Sequence, residues 1–303
     1  MSRKRIERPK SRRAAAGSAA TAWVPPPPAI VREIHRRLGR AHGPLDPPRR
    51  LDPLEELVVT ILSQNTSDTN RDRAYQAMRA RYPTWEALAL ARPGDLVDAI
   101  RVGGLANTKA PRILAVLREI REREGGFDLS WMRSAPDEEV EDYLTSLPGV
   151  GPKTAACVLA FSLGRPALPV DTHVHRVASR LGLLPPGASA KAAHRILRDL
   201  VPEKLRVALH VGLIRHGRTI CKAGRPRCEQ CPIKDICPTA PIYLSDAVGP
   251  GRRRSRESPQ WGRAYWRSSG FLGVHAKVLE LGCRRDLASG GYPSCAIATG
   301  DGA

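Results

Sequence analysis

An all-α fold is predicted for this chain of 303 residues, and three observations predict it. Apolar residues recur at helical spacing in one segment after another between residues 29 and 219. Turns containing glycine or proline separate most of those segments. No stretch alternates apolar and polar residues as a half-buried strand would, and no repeat of fixed period is present. The hydrophobic fraction of 42% supports a buried core, and with aromatic residues at only 5% that core must be mostly Leu, Val, Ile and Ala.

In chain order, the first helix is expected at 29–41. Asp52, Pro53 and Glu55 then supply an N-cap, a proline at the first helical position and a capping-box acid. Leu54, Leu57, Val58, Ile61 and Leu62 follow at helical spacing. Further helices are expected at 67–81, 84–91, 93–101, 107–124, 137–147, 152–164, 172–182, 188–200 and 203–219. After about residue 245 the chain turns Gly-, Ser- and Arg-rich and keeps no helical period beyond a short piece around 273–281.

Charge narrows the partners. The formal net charge is +19, and Arg outnumbers Lys 40 to 9. Residues 1–24 carry a net +6 and residues from 245 onward a net +4, which leaves +9 on the intervening body. The excess is therefore not confined to the ends, and a polyanion, nucleic acid first, is the expected partner. No apolar stretch approaches the ~20 residues that span a bilayer, so no membrane partner is expected. The first twenty residues lack the apolar core of a signal peptide. Of seven cysteines, Cys221, Cys228, Cys231 and Cys237 fall within one short segment. That is the pattern of a tetrathiolate metal site and not of a disulfide scaffold spread through a secreted domain. Donor chemistry alone leaves zinc and iron–sulfur both open. Cys157 lies on an apolar helix and is assigned to the core, while Cys283 and Cys295 have no role to assign.

Residues 147–155 read Leu-Pro-Gly-Val-Gly-Pro-Lys-Thr-Ala. A helix leads into a tight turn, and Pro152 opens the next helix. The glycines Gly149 and Gly151, with Val150 between them, let the backbone approach a surface closely and aim free amides at one point, where a phosphate fits. Here the chain resembles the helix-hairpin-helix DNA glycosylases, specifically the endonuclease III family, whose hairpin reads LPGVGxKTA. A lysine at Lys153 is by itself an ordinary surface residue at a helix start. The resemblance implies that it is the nucleophile, because the matching lysine of bifunctional members forms a Schiff base with the sugar.

Four further segments carry the same resemblance in the family's order. VDTHVHRV at 170–177 is similar to its second signature. Asp171 is a good N-cap for the helix that follows, and the resemblance makes it the essential carboxylate as well. His173 and His175, two apart on a helix, do not face each other and are not expected to hold a metal. The cysteine spacing C-x6-C-x2-C-x5-C resembles the family's [4Fe–4S] loop, with Lys222, Arg225, Arg227 and Lys234 positioned to meet phosphates. ILSQNTSD at 61–68 resembles LLSAQATD, with Asn65 in the register of the family's gap-filling Gln and Gln64 one residue earlier. GLANTKA at 104–110 resembles GLYNSKA, with Leu105 as the apolar wedge.

The resemblance implies a six-helix barrel with the hairpin at 49–165 and a cluster domain formed by 29–48 and 166–244. Residues 1–28 and 245–303 are expected to be disordered tails. It implies a base excision repair glycosylase with AP lyase activity that acts on oxidised pyrimidines in duplex DNA and cleaves on the 3′ side by β-elimination. A monomer in a bacterial-type cytoplasm, associated with the nucleoid, is the expected setting. The alternatives are a monofunctional glycosylase for mismatched or deaminated bases and a non-catalytic DNA-binding scaffold.

Overall fold

Side-chain caps fix several of the helix starts. Asp52 accepts from the Leu54 amide at 3.1 Å, Ser67 from Asn70 at 3.2 Å, Thr84 from Ala87 at 3.2 Å, and Ser189 from Ala192 at 3.2 Å. Each satisfies one of the amides that a helix leaves unpaired at its first turn. The computed structural model describes residues 23–47 and 50–245, which lie in one compact unit. Of the expected tails, residues 1–22 and 246–303 fall outside the described residues, as do the segment 273–281, Cys283 and Cys295. Residues 23–28, expected to be disordered, are instead fixed, with Trp23 Nε1 donating to the Gly182 carbonyl at 3.2 Å and Pro28 opening the first helix.

Among the described residues there are twelve α-helices and no strand. They are α1 (Pro28–His42), α2 (Pro53–Leu62), α3 (Asp68–Arg81), α4 (Trp85–Ala89), α5 (Pro93–Ile100) and α6 (Ala106–Glu124). Then come α7 (Asp137–Ser146), α8 (Pro152–Cys157), α9 (Thr172–Arg180), α10 (Ala190–Leu200), α11 (Glu203–Thr219) and α12 (Ala240–Ser245). No helix is long and apolar enough to cross a membrane among these residues.

One continuous apolar cluster runs from Leu54 to Leu159 and is built by α2 to α8. α2 lies inside it: all of its residues except Glu55 and Val59 are buried, and it packs on α3, α6 and α8. A second set of buried side chains joins α1 to the later helices. Ile30, Val31, Ile34 and Leu38 of α1 pack toward α11, which also packs against α9.

The structure departs from the periodicity in three places. The helix expected over 152–164 is α-helical only to Cys157 and then widens into a π-turn, Val158–Ser162. The Leu163 amide donates to the Val158 carbonyl at 3.1 Å, and the Ser162 hydroxyl reaches the Leu51 carbonyl at 2.8 Å. A change from 3.6 residues per turn over five residues is too short to register in a hydrophobic pattern. The helix expected over 84–91 is confined to Trp85–Ala89. α12, at six residues, is too short to predict from spacing.

Leu57 is fully buried, whereas Leu90 is 74% exposed. Leu57→Ala is expected to cost about 2–5 kcal/mol and Leu90→Ala under about 0.5 kcal/mol, read by urea unfolding.

Candidate active site

The hairpin joins α7 to α8. Its turn is closed by the Val150 amide donating to the Leu147 carbonyl at 3.1 Å, and Leu147 and Val150 are buried beneath it. The two glycines have different reasons to be there. Gly149 has φ +71°, and a Cβ on it would meet Arg112 Nε at 2.6 Å. Gly151 has φ −112°, and a Cβ there would meet nothing within 4 Å. The protein itself therefore does not require glycine at 151. The bare Cα leaves room for something outside the chain. α8 begins there without a side-chain cap. Pro152 has no amide and the Thr154 amide is taken by the Gly151 carbonyl at 2.9 Å, so the amides left for an external acceptor are those of Gly151 and Lys153.

Lys153 stands in the first turn of α8 and is half-buried. Asp171 is the N-cap of α9, its carboxylate accepting from the Val174 amide at 2.7 Å. Both lie near the buried ring of His210, which responds electrostatically to each. His210 Nδ1 bonds the Pro169 carbonyl at 2.7 Å, so that nitrogen carries the hydrogen. Burial pushes His210 down to about 4 and also pushes His194, which feels the Lys153 charge, down to about 4. The two imidazoles are therefore neutral at pH 7.

Sequence reading missed a third ionisable group. Glu56 of α2 is buried, and Thr60 Oγ1 donates to its Oε1 at 2.9 Å. Burial pushes the Glu56 carboxyl up to about 7, against a weaker opposing pull from Lys153 and Arg71. The buried Cys157 thiol, one turn beyond Lys153 on α8, feels Lys153, Glu56 and Thr60. No sequence signal marks it, because the neighbouring Glu55 on the same helix stays partly exposed.

Asn65 and Leu105 are the only non-glycine residues with positive φ among those described, at 51° and 50°. Both are exposed. Such conformations cost of order 1–3 kcal/mol and persist where the surroundings impose them. Gln64, beside Asn65, is half-buried and accepts from Arg112 Nη1 at 2.8 Å.

Cys221, Cys228, Cys231 and Cys237 line one cavity with Arg180 and His216. Arg180 Nη1 donates to Cys221 Sγ at 3.3 Å, and Arg176 Nε to the Cys221 carbonyl at 3.1 Å. Arg37 of α1 bridges to Asp235 inside the loop. Burial pushes Cys231 up to about 12, and the neighbouring cysteines push the same way. Metal binding takes cysteines as thiolates, and this four-cysteine donor set suits an iron–sulfur cluster. When bound, the cluster cross-links four points of a loop that otherwise has only short 3₁₀ turns. Lys222, Arg225, Arg227 and Lys234 of the loop are exposed.

A basic helical body with a glycine hairpin and a four-cysteine loop defines a helix-hairpin-helix DNA-binding protein with an iron–sulfur site. Residues 58–203 match the HhH-GPD superfamily of base excision DNA repair proteins, and residues 221–237 match the iron–sulfur binding domain of endonuclease III. Endonuclease III of Thermotoga maritima is 38% identical over 208 residues, covering 69% of this chain and 90% of the relative. Endonuclease III of Sulfolobus acidocaldarius is 33% identical, covering 60% and 79%. A trapped covalent intermediate of endonuclease III with DNA superposes with a TM-score of 0.62 at 27% identity, covering 71% of this chain and 98% of that one. The chain belongs to the endonuclease III family, and its cofactor is the [4Fe–4S] cluster of that family.

The two glycines should separate on substitution. Gly149→Ala is expected to destabilise the fold through positive φ and the Arg112 contact, measured by thermal unfolding. Gly151→Ala is expected to leave stability within about 1 kcal/mol while weakening binding to duplex DNA. For Glu56, the folded pKa of about 7 lies above the ordinary value of 4.5. Its neutral form is favoured by the fold, so its contribution is fully retained below about pH 4.5 and is lost as pH rises through about 7. Glu56→Gln is therefore expected to match the parent at pH 4.5 and to exceed it by about 3 kcal/mol at pH 8, read by denaturant titration.

Proposed function

We propose that Lys153 and Asp171 carry the chemistry of this base excision repair DNA glycosylase and AP lyase, and that its substrates are oxidised pyrimidines in duplex DNA. Family membership supports the glycosylase/lyase activity. The observation that supports the residue assignment is that Lys153 in the first turn of α8 and Asp171 at the N-cap of α9 both act electrostatically on buried His210.

In this reading the chain acts as a monomer, with residues 49–165 as a helical barrel and residues 29–48 with 166–244 as the cluster domain. The duplex lies across the groove between them. The hairpin amides and the basic loop hold phosphates, Leu105 and Asn65 or Gln64 fill the opened stack, and the damaged nucleotide turns out toward Lys153. Asp171 accepts a proton from the Lys153 ammonium. The neutral Nζ forms a bond to C1′ as the glycosidic C1′–N bond breaks, and the base leaves with the bonding pair and takes up a proton. Ring opening converts the adduct to an iminium. Loss of the C2′ proton then expels the 3′ phosphate oxygen, which is β-elimination.

Borohydride trapping on a duplex with one oxidised pyrimidine tests this. The parent protein is expected to yield a covalent adduct that Lys153→Ala abolishes. Base release that leaves an intact abasic strand and no adduct would replace this reading with a monofunctional one. No release across several lesions would leave a binding protein only.

A further inference from the structure

α6 carries a buried cation that the chemistry above does not use. Lys109 is 1% exposed, and its Nζ donates to the Leu62 carbonyl at 2.7 Å and to the Gly103 carbonyl at 2.8 Å. Among the described residues it forms no ion pair, and burial pushes its amine down from the ordinary lysine range. Burying an ammonium without a carboxylate is costly, and an apolar side chain of similar length would fill the space at lower cost. The two acceptors are informative. Leu62 ends α2 three residues before Asn65, and Gly103 ends the 3₁₀ turn Arg101–Gly103 two residues before Leu105. A single nitrogen thus holds together the backbones that lead into Asn65 and Leu105, the two left-handed non-glycine residues among those described.

One turn further along α6, Arg112 adds a second tie. Its Nη1 holds Gln64 Oε1 at 2.8 Å, and its side chain packs over Gly149 so closely that a Cβ there would clash. Lys109 and Arg112 are three residues apart and therefore share a helix face. Between them they touch the α2–α3 loop, the turn before α6 and the hairpin.

We infer that Lys109, supported by Arg112, is a positioning residue that locks both wedge loops to each other and to the hairpin, so that they enter the duplex as one rigid body. The inference rests on the wedge assignment proposed above. Opening a stacked, paired base needs both wedges in register, whereas an abasic site has already lost the base whose pairing and stacking resist extrusion. The tie therefore matters more for base removal than for cleavage at an abasic site.

The experiment compares two single-turnover rates on full-length protein with intact cluster. One is release of a paired oxidised pyrimidine, and the other is strand cleavage at a preformed abasic site. Wild-type trapping on abasic DNA is run first, because its absence would sink the proposed chemistry and not this inference. Lys109→Met keeps the length of the side chain and removes the donors. It is expected to lower the ratio of base release to abasic cleavage at least tenfold. In a Leu105→Ala background the same substitution is expected to lower that ratio no further, since the wedge through which it acts is gone. Where Lys109→Met does not fold, Arg112→Met, at a half-buried position, undergoes the same ratio test with an expected drop of at least threefold. An equal fall in both rates, or an undiminished effect of the substitution in the Leu105→Ala background, overturns the inference.

Discussion

Burial of α2 is the constraint on which the rest of the structure depends. A ten-residue helix with almost no solvent face has to be surrounded, and α3, α6 and α8 surround it. Its position then sets those of its attachments. On the side toward α8 it brings Glu56 and Thr60 to Cys157 and Lys153. Its C-terminus delivers Ser63 to Asn65 to the surface, and its last carbonyl is gripped by Lys109. A core helix in this fold is thus also the reference frame for Lys153 and for the loop that carries Asn65. Apolar packing can supply that precision because interiors are close-packed and deform little.

Around this frame, charge is sorted by depth. The guanidinium groups that brace the cluster loop, Arg37, Arg176 and Arg180, bond to backbone carbonyls, a carboxylate and a thiol. Arginine suits that work because it stays charged at every accessible pH and offers several donors in a fixed plane. Deeper in, titratable groups are held neutral at pH 7: His210, His194 and His216 all lie near 4. Each histidine favours the fold above its ordinary value of 6.5 and loses that contribution as pH falls toward 4. Glu56 works in the opposite direction, so its burial and that of the histidines together favour mildly acidic to neutral conditions.

Much of this was legible before any coordinates. Helical periodicity located α1 to α11 because their apolar residues recur at helical spacing, and caps such as Asp52 and Asp171 marked the starts. The hairpin and the four cysteines stood out because each requires rare residues at fixed spacing. Glu56 and Lys109 were not legible. A charged residue within an apolar helix reads as a solvent-facing position, and only the three-dimensional surroundings reveal that Glu56 meets Thr60 or that Lys109 finds two carbonyls. The π-turn after Cys157 escaped because it alters one turn and not a period. The left-handed backbones of Asn65 and Leu105 escaped because neither residue type demands them; tertiary contacts impose them.

Those two left-handed residues bear on how such a protein explores DNA. A loop that must fold at each trial insertion adds its ordering time to every base pair inspected. Loops already held in an unfavourable but fixed shape have met that cost at folding, once per molecule and not once per site. In the wedge role proposed for them, Asn65 and Leu105 with preset backbones make each trial insertion a mechanical test of local stiffness. The pace of the search is then governed by how readily the stack yields, which is where a lesion differs from its neighbours.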